Sequence, residues 1–271
     1  MSRILSLAAL TVLELSQVDR IHAAAEAGFS HVGLRLIAAT PQEAHEDLVH
    51  DPVRRRAVQQ ALRSTGVQVL DAEIFRLRPA TVLADLEPAI ALAAELGARE
   101  LLVAGHVADE ARMADHFAAL CERAAAHGLG ANLEFMPWTE VPDLACAARV
   151  VARAERPNGA VLVDAFHLSR SRSDWGALAT LPTARSRYLQ LCDAPAALPP
   201  TMEGILAEAR AERRFPGEGG LPLVALLKAL PPGLPLSIEV PTQTLAREVD
   251  GFARARLALA ATRRLLAEAG E

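Results

Sequence analysis

Short apolar runs alternate with longer stretches of helical spacing along the whole chain. Residues 4–7, 31–37, 67–75, 100–104, 131–137, 160–164, 187–192 and 236–240 read as eight strands. Between them, residues 17–27, 52–65, 81–96, 109–127, 141–154, 221–230 and 244–269 place apolar side chains every three or four positions and predict helices, with a shorter one at 175–179. Gly28, Gly66, Gly97 and Gly128 follow helical runs, where a left-handed cap stops a helix. Residues 40–50 and 193–220 are polar and read as loops over one mouth of the sheet. This alternation calls for a parallel sheet with helical crossovers. Eight repeats in 271 residues predict one (β/α)8 TIM barrel spanning residues 1–271.

The later strands each carry one oxygen ligand among apolar neighbours: Glu134, Asp164, Gln190 and Glu239. An ionised carboxylate in a core is costly unless a positive charge holds it. The strand around Glu134 has no Lys or Arg to do so. Four oxygen donors at the carboxyl ends of parallel strands suit one hard divalent ion, Mn or Mg.

Composition narrows the function. The chain is 51% hydrophobic, enough for one large core, and its net charge is −5 with no basic stripe, which argues against nucleic acid. Aromatic residues are 4% of the chain, too few for a base-stacking platform. Cys121, Cys146 and Cys192 form no C-x-x-C pair, so they read as reduced core residues of a cytoplasmic protein. The apolar start is too short to span a membrane and reads as a first strand, not a signal peptide.

Five segments in order, Asn132-Leu133-Glu134-Phe135, Asp164-Ala165-Phe166-His167, Gln190-Leu191-Cys192-Asp193, Arg213 to Gly219 and Ser237-Ile238-Glu239-Val240, resemble the xylose isomerase-like TIM barrels. That superfamily includes ketose 3-epimerases, inosose dehydratases, 3-dehydroshikimate dehydratases and the endonuclease IV group. The resemblance covers nearly the whole chain. It implies that Glu134, Asp164, Gln190 and Glu239 hold one Mn or Mg. Many members have His where Gln190 stands; bacterial 3-dehydroshikimate dehydratases are similar to this chain in having Gln. The resemblance also implies substrate contacts for Glu140, His167 and Arg213, with His167 outside the metal's ligands. Arg210 and Arg214 compete with Arg213 for that role. The histidines of a trinuclear endonuclease site are not evident.

The chemistry follows from the residue types. Isomerising, epimerising or dehydrating a polyhydroxy ketone begins with loss of a proton beside a carbonyl. A divalent ion stabilises the enediolate charge, and a carboxylate (Glu134, Glu239) or His167 moves the proton. The expected activity is a metal-dependent isomerase or epimerase; the alternatives are a 3-dehydroshikimate or inosose dehydratase, or a silent ligand-binding barrel. The expected partner is a small polyol, ketose or cyclic hydroxyketone, with neither nucleic acid nor membrane, in a protein able to form homo-oligomers. Arg35, Glu73 and His106 fall near strand ends, where they could line the pocket, but each reads first as structural. The Pro-Gly-Glu-Gly run reads as a tight turn, with Asp193 orienting it.

Overall fold

The computed structural model of the chain describes residues 3–40 and 42–271. Eight parallel strands close on themselves in sequence order: β1 (Leu5–Leu7), β2 (His31–Arg35), β3 (Gln68–Leu77), β4 (Glu100–Gly105), β5 (Gly130–Glu134), β6 (Gly159–Asp164), β7 (Leu189–Leu191) and β8 (Leu236–Ile238). The β1–β8 pairing, with Leu5 opposite Leu236, seals the barrel and leaves no sheet edge. The helices are α1 (Gln17–Ala27), α2 (Pro52–Thr65), α3 (Glu87–Glu95), α4 (Glu110–Ala126), α5 (Leu144–Ala154), α6 (Ala165–Arg170), α7 (Met202–Ala211), α8 (Leu223–Ala229) and α9 (Gly251–Ala269). Among the described residues, no helix is long and apolar enough to cross a membrane.

Alternation along the strands builds two apolar layers. Leu101 and Val103 of β4 join the main core with Phe75, Phe117 and Leu133. Leu102 and Ala104, one position out of phase, join a second cluster with Leu70, Ile74, Met136, Leu162 and Tyr188. This is the division expected of a barrel whose interior is filled by side chains. The caps match the sequence: Gly28 and Gly66 end α1 and α2 at φ 94° and 74°, a left-handed conformation that only glycine adopts without steric cost.

Some boundaries differ from the sequence reading. The loop expected over residues 193–220 contains α7, started by Thr201, whose hydroxyl accepts from the Gly204 amide at 3.2 Å. Flanking prolines and Gly204 masked a segment that buries Ile205 and Ala209. The helix expected from 81 is a 3-10 turn over Leu83–Leu86 before α3, and the one at 175 is also 3-10. The closing helix begins at Gly251, not 244, because the Asp250 carboxylate caps it from the Ala253 amide at 2.8 Å.

Asp193 organises the turn that follows β7. Its Oδ1 accepts from the amides of Ala194 and Leu221, and its Oδ2 from those of Gly217 and Gly219, all at 2.8–3.1 Å. A Cβ at Gly219 would run into this carboxylate, so the glycine is required by close approach. Paired backbone bonds between Asp193 and Arg214, both 2.8 Å, then fix the chain that carries Arg213. Asp193→Ala strands four amides, each costing about 1–3 kcal/mol where buried. Its urea midpoint should fall by the equivalent of at least about 3 kcal/mol, and an unchanged midpoint would show that the turn holds without it.

Candidate metal and substrate site

Glu134 ends β5, Asp164 ends β6, Gln190 lies within β7 in register with Asp164, and Glu239 follows β8 directly. The four are almost fully buried at the carboxyl ends of neighbouring strands. Ligand-type atoms of Glu134, Asp164 and His167 lie within 4.8 Å of one another. Gln190 Nε2 donates to Glu239 Oε1 at 2.9 Å, linking the other two into the same group.

His167 reaches the acids because Asp164 caps α6. Asp164 Oδ1 accepts from the His167 amide at 2.9 Å, and the imidazole turns back so that Nε2 stands 3.5 Å from Glu134 Oε1. Trp138 packs edge-on against the ring, with centroids 5.0 Å apart. The imidazole therefore shares the ligand cluster, closer in than expected from the sequence. Burial drives its pKa down to about 3, so it is neutral near pH 7.

Arg213 lines the barrel mouth beside Glu134, His167 and Glu239. It is buried, and its Nη1 lies 2.8 Å from Asp164 Oδ2 and 3.0 Å from Glu239 Oε2. Its Nε donates to the Ala209 carbonyl at 2.9 Å, and the guanidinium sits 4.9 Å from the centre of the Phe166 ring. The positive charge missing from the Glu134 strand is thus supplied, in part, from 49 residues beyond Asp164.

The carboxylates respond differently to this cation. Burial raises the Glu134 carboxyl well above its usual range, helped by repulsion from Glu239 and Asp164. Burial pushes Glu239 up to about 7 against the pull of Arg213. Burial acts on Asp164 in the same sense, but Arg213 and His167 outweigh it and hold Asp164 below its usual range.

One guanidinium serves Asp164 and Glu239, and Glu134 has no Lys or Arg within ion-pair distance among the described residues. Gln190 Oε1 is also buried without a hydrogen-bond partner among the described residues. An orphaned carbonyl oxygen beside surplus carboxylates is a donor set that fits one hard divalent cation.

A cavity of about 310 Å³ opens over Glu134, His167, Arg213 and Glu239, bordered also by Arg35, Glu73, Arg76, Trp138 and Arg210; Asp164 and Gln190 do not line it. A larger groove of about 700 Å³ shares Arg213, but Glu134, His167 and Glu239 do not line it. Glu140, expected to contact substrate, is exposed and lies outside the smaller cavity. The tight turn closed by the Met136 amide on the Val141 carbonyl, at 3.0 Å, admits Trp138 to the cavity instead. Arg35 is buried beside Glu73 at 3.4 Å and Glu43 at 3.7 Å. Arg76 and Trp138 went unnoticed in the sequence; a charged residue two positions beyond Ile74 on an inward-facing strand end was the available signal for Arg76.

A closed eight-stranded parallel barrel with acids clustered at its strand ends is a TIM barrel of the kind that places its chemistry on that face. Residues 21–265 match the xylose isomerase-like TIM barrel family, and the chain belongs to it. Over 256 residues it is 30% identical to a 3-dehydroshikimate dehydratase of Pseudomonas aeruginosa, a match covering 86% of this chain and 38% of that protein. The chain therefore spans well under half the length of that relative. Its fold is similar to that of the IOLI protein with a bound zinc atom, with a TM-score of 0.81, 17% identity and 97% and 98% of the two chains covered. It is also similar to D-allulose 3-epimerase from Methylomonas sp. in complex with D-allulose, with a TM-score of 0.70, 16% identity and 97% and 98% coverage.

Proposed function

We propose that the chain is a divalent-metal-dependent lyase that dehydrates a small cyclic hydroxyketone of the 3-dehydroshikimate type. The observation that carries this is the donor set itself, three buried carboxylates with the orphaned Gln190 Oε1, of which Glu134 and Glu239 line a cavity of about 310 Å³. The sequence likeness to a 3-dehydroshikimate dehydratase supports the lyase over the isomerase or epimerase first expected.

Glu134, Asp164, Gln190 and Glu239 would hold the ion, Mn or Mg, with His167 at their edge. Bound there, the ion supplies Lewis-acid stabilisation of negative charge developing on the substrate's carbonyl oxygen. The chain's residues handle the proton. Glu239, whose carboxylate lines the cavity, takes the proton from the carbon beside the carbonyl. The same carboxyl returns it to the hydroxyl leaving from the next carbon, which departs as water as the C–O bond breaks and the C=C bond forms. His167, neutral and wedged between Trp138 and Glu134, donates from Nε2 to a substrate oxygen and fixes its orientation. Arg213 holds Asp164 and Glu239 apart and in place. Return of the proton by Glu134 from the opposite face would invert the centre instead. The presence of both carboxylates in the cavity wall favours epimerisation as the second reading.

The test is a reaction of metal-supplemented protein with 3-dehydroshikimate and ketoses in deuterated water, followed by NMR. Loss of water from 3-dehydroshikimate supports the lyase. Deuterium entering a ketose with inversion, and no dehydration, replaces it with the epimerase. His167→Ala is expected to lower kcat by roughly 100-fold while retaining the ion. Loss of stoichiometric metal from that variant would make His167 a ligand.

A further inference from the structure

Arg76 lies near the end of β3, half-buried, and lines the cavity. The two buried arginines at this mouth have carboxylate partners: Asp164 and Glu239 for Arg213, Glu73 and Glu43 for Arg35. Arg76 makes two hydrogen bonds, neither to a carboxylate. Its Nε donates to the Ala39 carbonyl at 3.1 Å and its Nη1 to His106 Nε2 at 2.9 Å. No carboxylate among the described residues lies within ion-pair distance of it.

That arrangement orients the guanidinium without neutralising it. To accept from Arg76, His106 must leave Nε2 unprotonated. Burial, with Arg76 and Arg78 adding repulsion, holds the imidazole down at about 4, so it accepts throughout the neutral range. Two neutral acceptors fix the plane of the fork, and Nη2 is left for a ligand. A partly desolvated cation without a counter-charge is costly until an anion supplies one. Burial lowers the Arg76 pKa, while Glu134 across the cavity partly restores it and Arg78 and Arg35 oppose it. Arg210, on α7, borders the same cavity from an exposed position and adds a second positive charge at its rim.

We propose that Arg76, oriented by His106, selects an anionic substrate by pairing with its carboxylate at the cavity wall. Arg213 lines the same cavity, but its Nη1 is engaged by Asp164 and Glu239, whereas Arg76 has no carboxylate partner among the described residues. The inference rests on the proposed reaction only for where the reacting end of the substrate lies. It requires a ligand that joins a carboxylate to a hydroxylated ring, and it disfavours neutral sugars.

Shikimate separates this inference from the reaction, because it has the carboxylate and hydroxyls but no ketone from which chemistry could start. Calorimetric titration of Mn-loaded protein with shikimate, and with neutral D-allulose, is the measurement. Arg76→Gln should weaken shikimate roughly 10- to 100-fold, the loss expected for a charged hydrogen bond. It should leave D-allulose and the melting temperature unchanged. His106→Ala should weaken shikimate alone by a smaller factor, and His106→Gln, which keeps an acceptor, should recover most of it. Shikimate binding that depends on Arg76 sustains the anion site even if no dehydration is found. Equal shikimate affinity in wild type and Arg76→Gln, parallel loss of both ligands, or wild-type preference for D-allulose overturns it.

Discussion

Glu239→Gln is expected to lower turnover by about 1,000-fold, the upper-middle range for removing a group that moves a proton in the transition state. It should weaken Mn or Mg binding as well, because an amide replaces one of three carboxylates of the proposed donor set. The barrel should stay folded: Glu239 follows the last strand, and the apolar layers on both sides of the sheet do not involve it. The metal-free variant should in fact be more stable than wild type above neutral pH. In the fold, burial pushes the Glu239 carboxyl from its ordinary 4.5 up to about 7. The unfolded chain therefore releases this proton first. Its contribution to wild-type stability is complete below about pH 4.5 and is lost as the pH rises through about 7. Glu134, raised in the same direction, steepens the loss. Thermal melts of metal-free protein between pH 5 and 8 should show wild type falling by on the order of 2 kcal/mol more than Glu239→Gln. Mn should flatten the difference. Melts with the same pH slope for both proteins would remove Glu239 from the charged cluster, and unchanged turnover would remove it from the chemistry.

Arg213→Gln should destabilise metal-free protein by about 3–5 kcal/mol, the usual consequence of stripping one partner from a buried ion pair. The cause is specific. One Nη1 serves both Asp164 and Glu239, and no other cation among the described residues lies within ion-pair distance of either carboxylate. Without it, three buried carboxylates face one another with a neutral histidine. A divalent ion supplies the charge that the variant lacks, so Mn should restore much of the loss. The rise in melting temperature on adding Mn should be larger for Arg213→Gln than for wild type. Arg213→Lys should fall between, because an ammonium keeps the charge but cannot reach both acids and the Ala209 carbonyl in one plane. Equal Mn-induced shifts in wild type and Arg213→Gln would show that the guanidinium and the ion do not act on the same carboxylates.

The alternation of apolar runs was enough to define the barrel, because strand and helix periods are local and the capping glycines act within a few residues. Glu134, Asp164, Gln190 and Glu239 were legible for the same reason. An oxygen ligand in an apolar strand is anomalous wherever the strand packs, and parallel strands bring their ends to one face. The helix α7 was less legible, since Pro199, Pro200 and Gly204 signal a loop while its burial of Ile205 and Ala209 depends on surfaces far away in sequence.

Which charges meet was decided only by the folded chain. The sequence could not say that Arg213 turns inward, because its direction is set by the Asp193 turn and by its bonds to Ala209, Asp164 and Glu239. Nor could it say that His106 accepts from Arg76, 30 residues away, and leaves it charged in the cavity. Glu140 stands outside because the backbone bond from Met136 to Val141 closes the turn and admits Trp138 in its place. By itself the sequence determined the eight strands, their order and the buried oxygen donors at their ends, since those rest on spacing and on the cost of burying a lone carboxylate. The tertiary structure decided the pairing of long side chains between loops. An arginine reaches several ångströms from its backbone, so its partner depends on packing that no local pattern encodes.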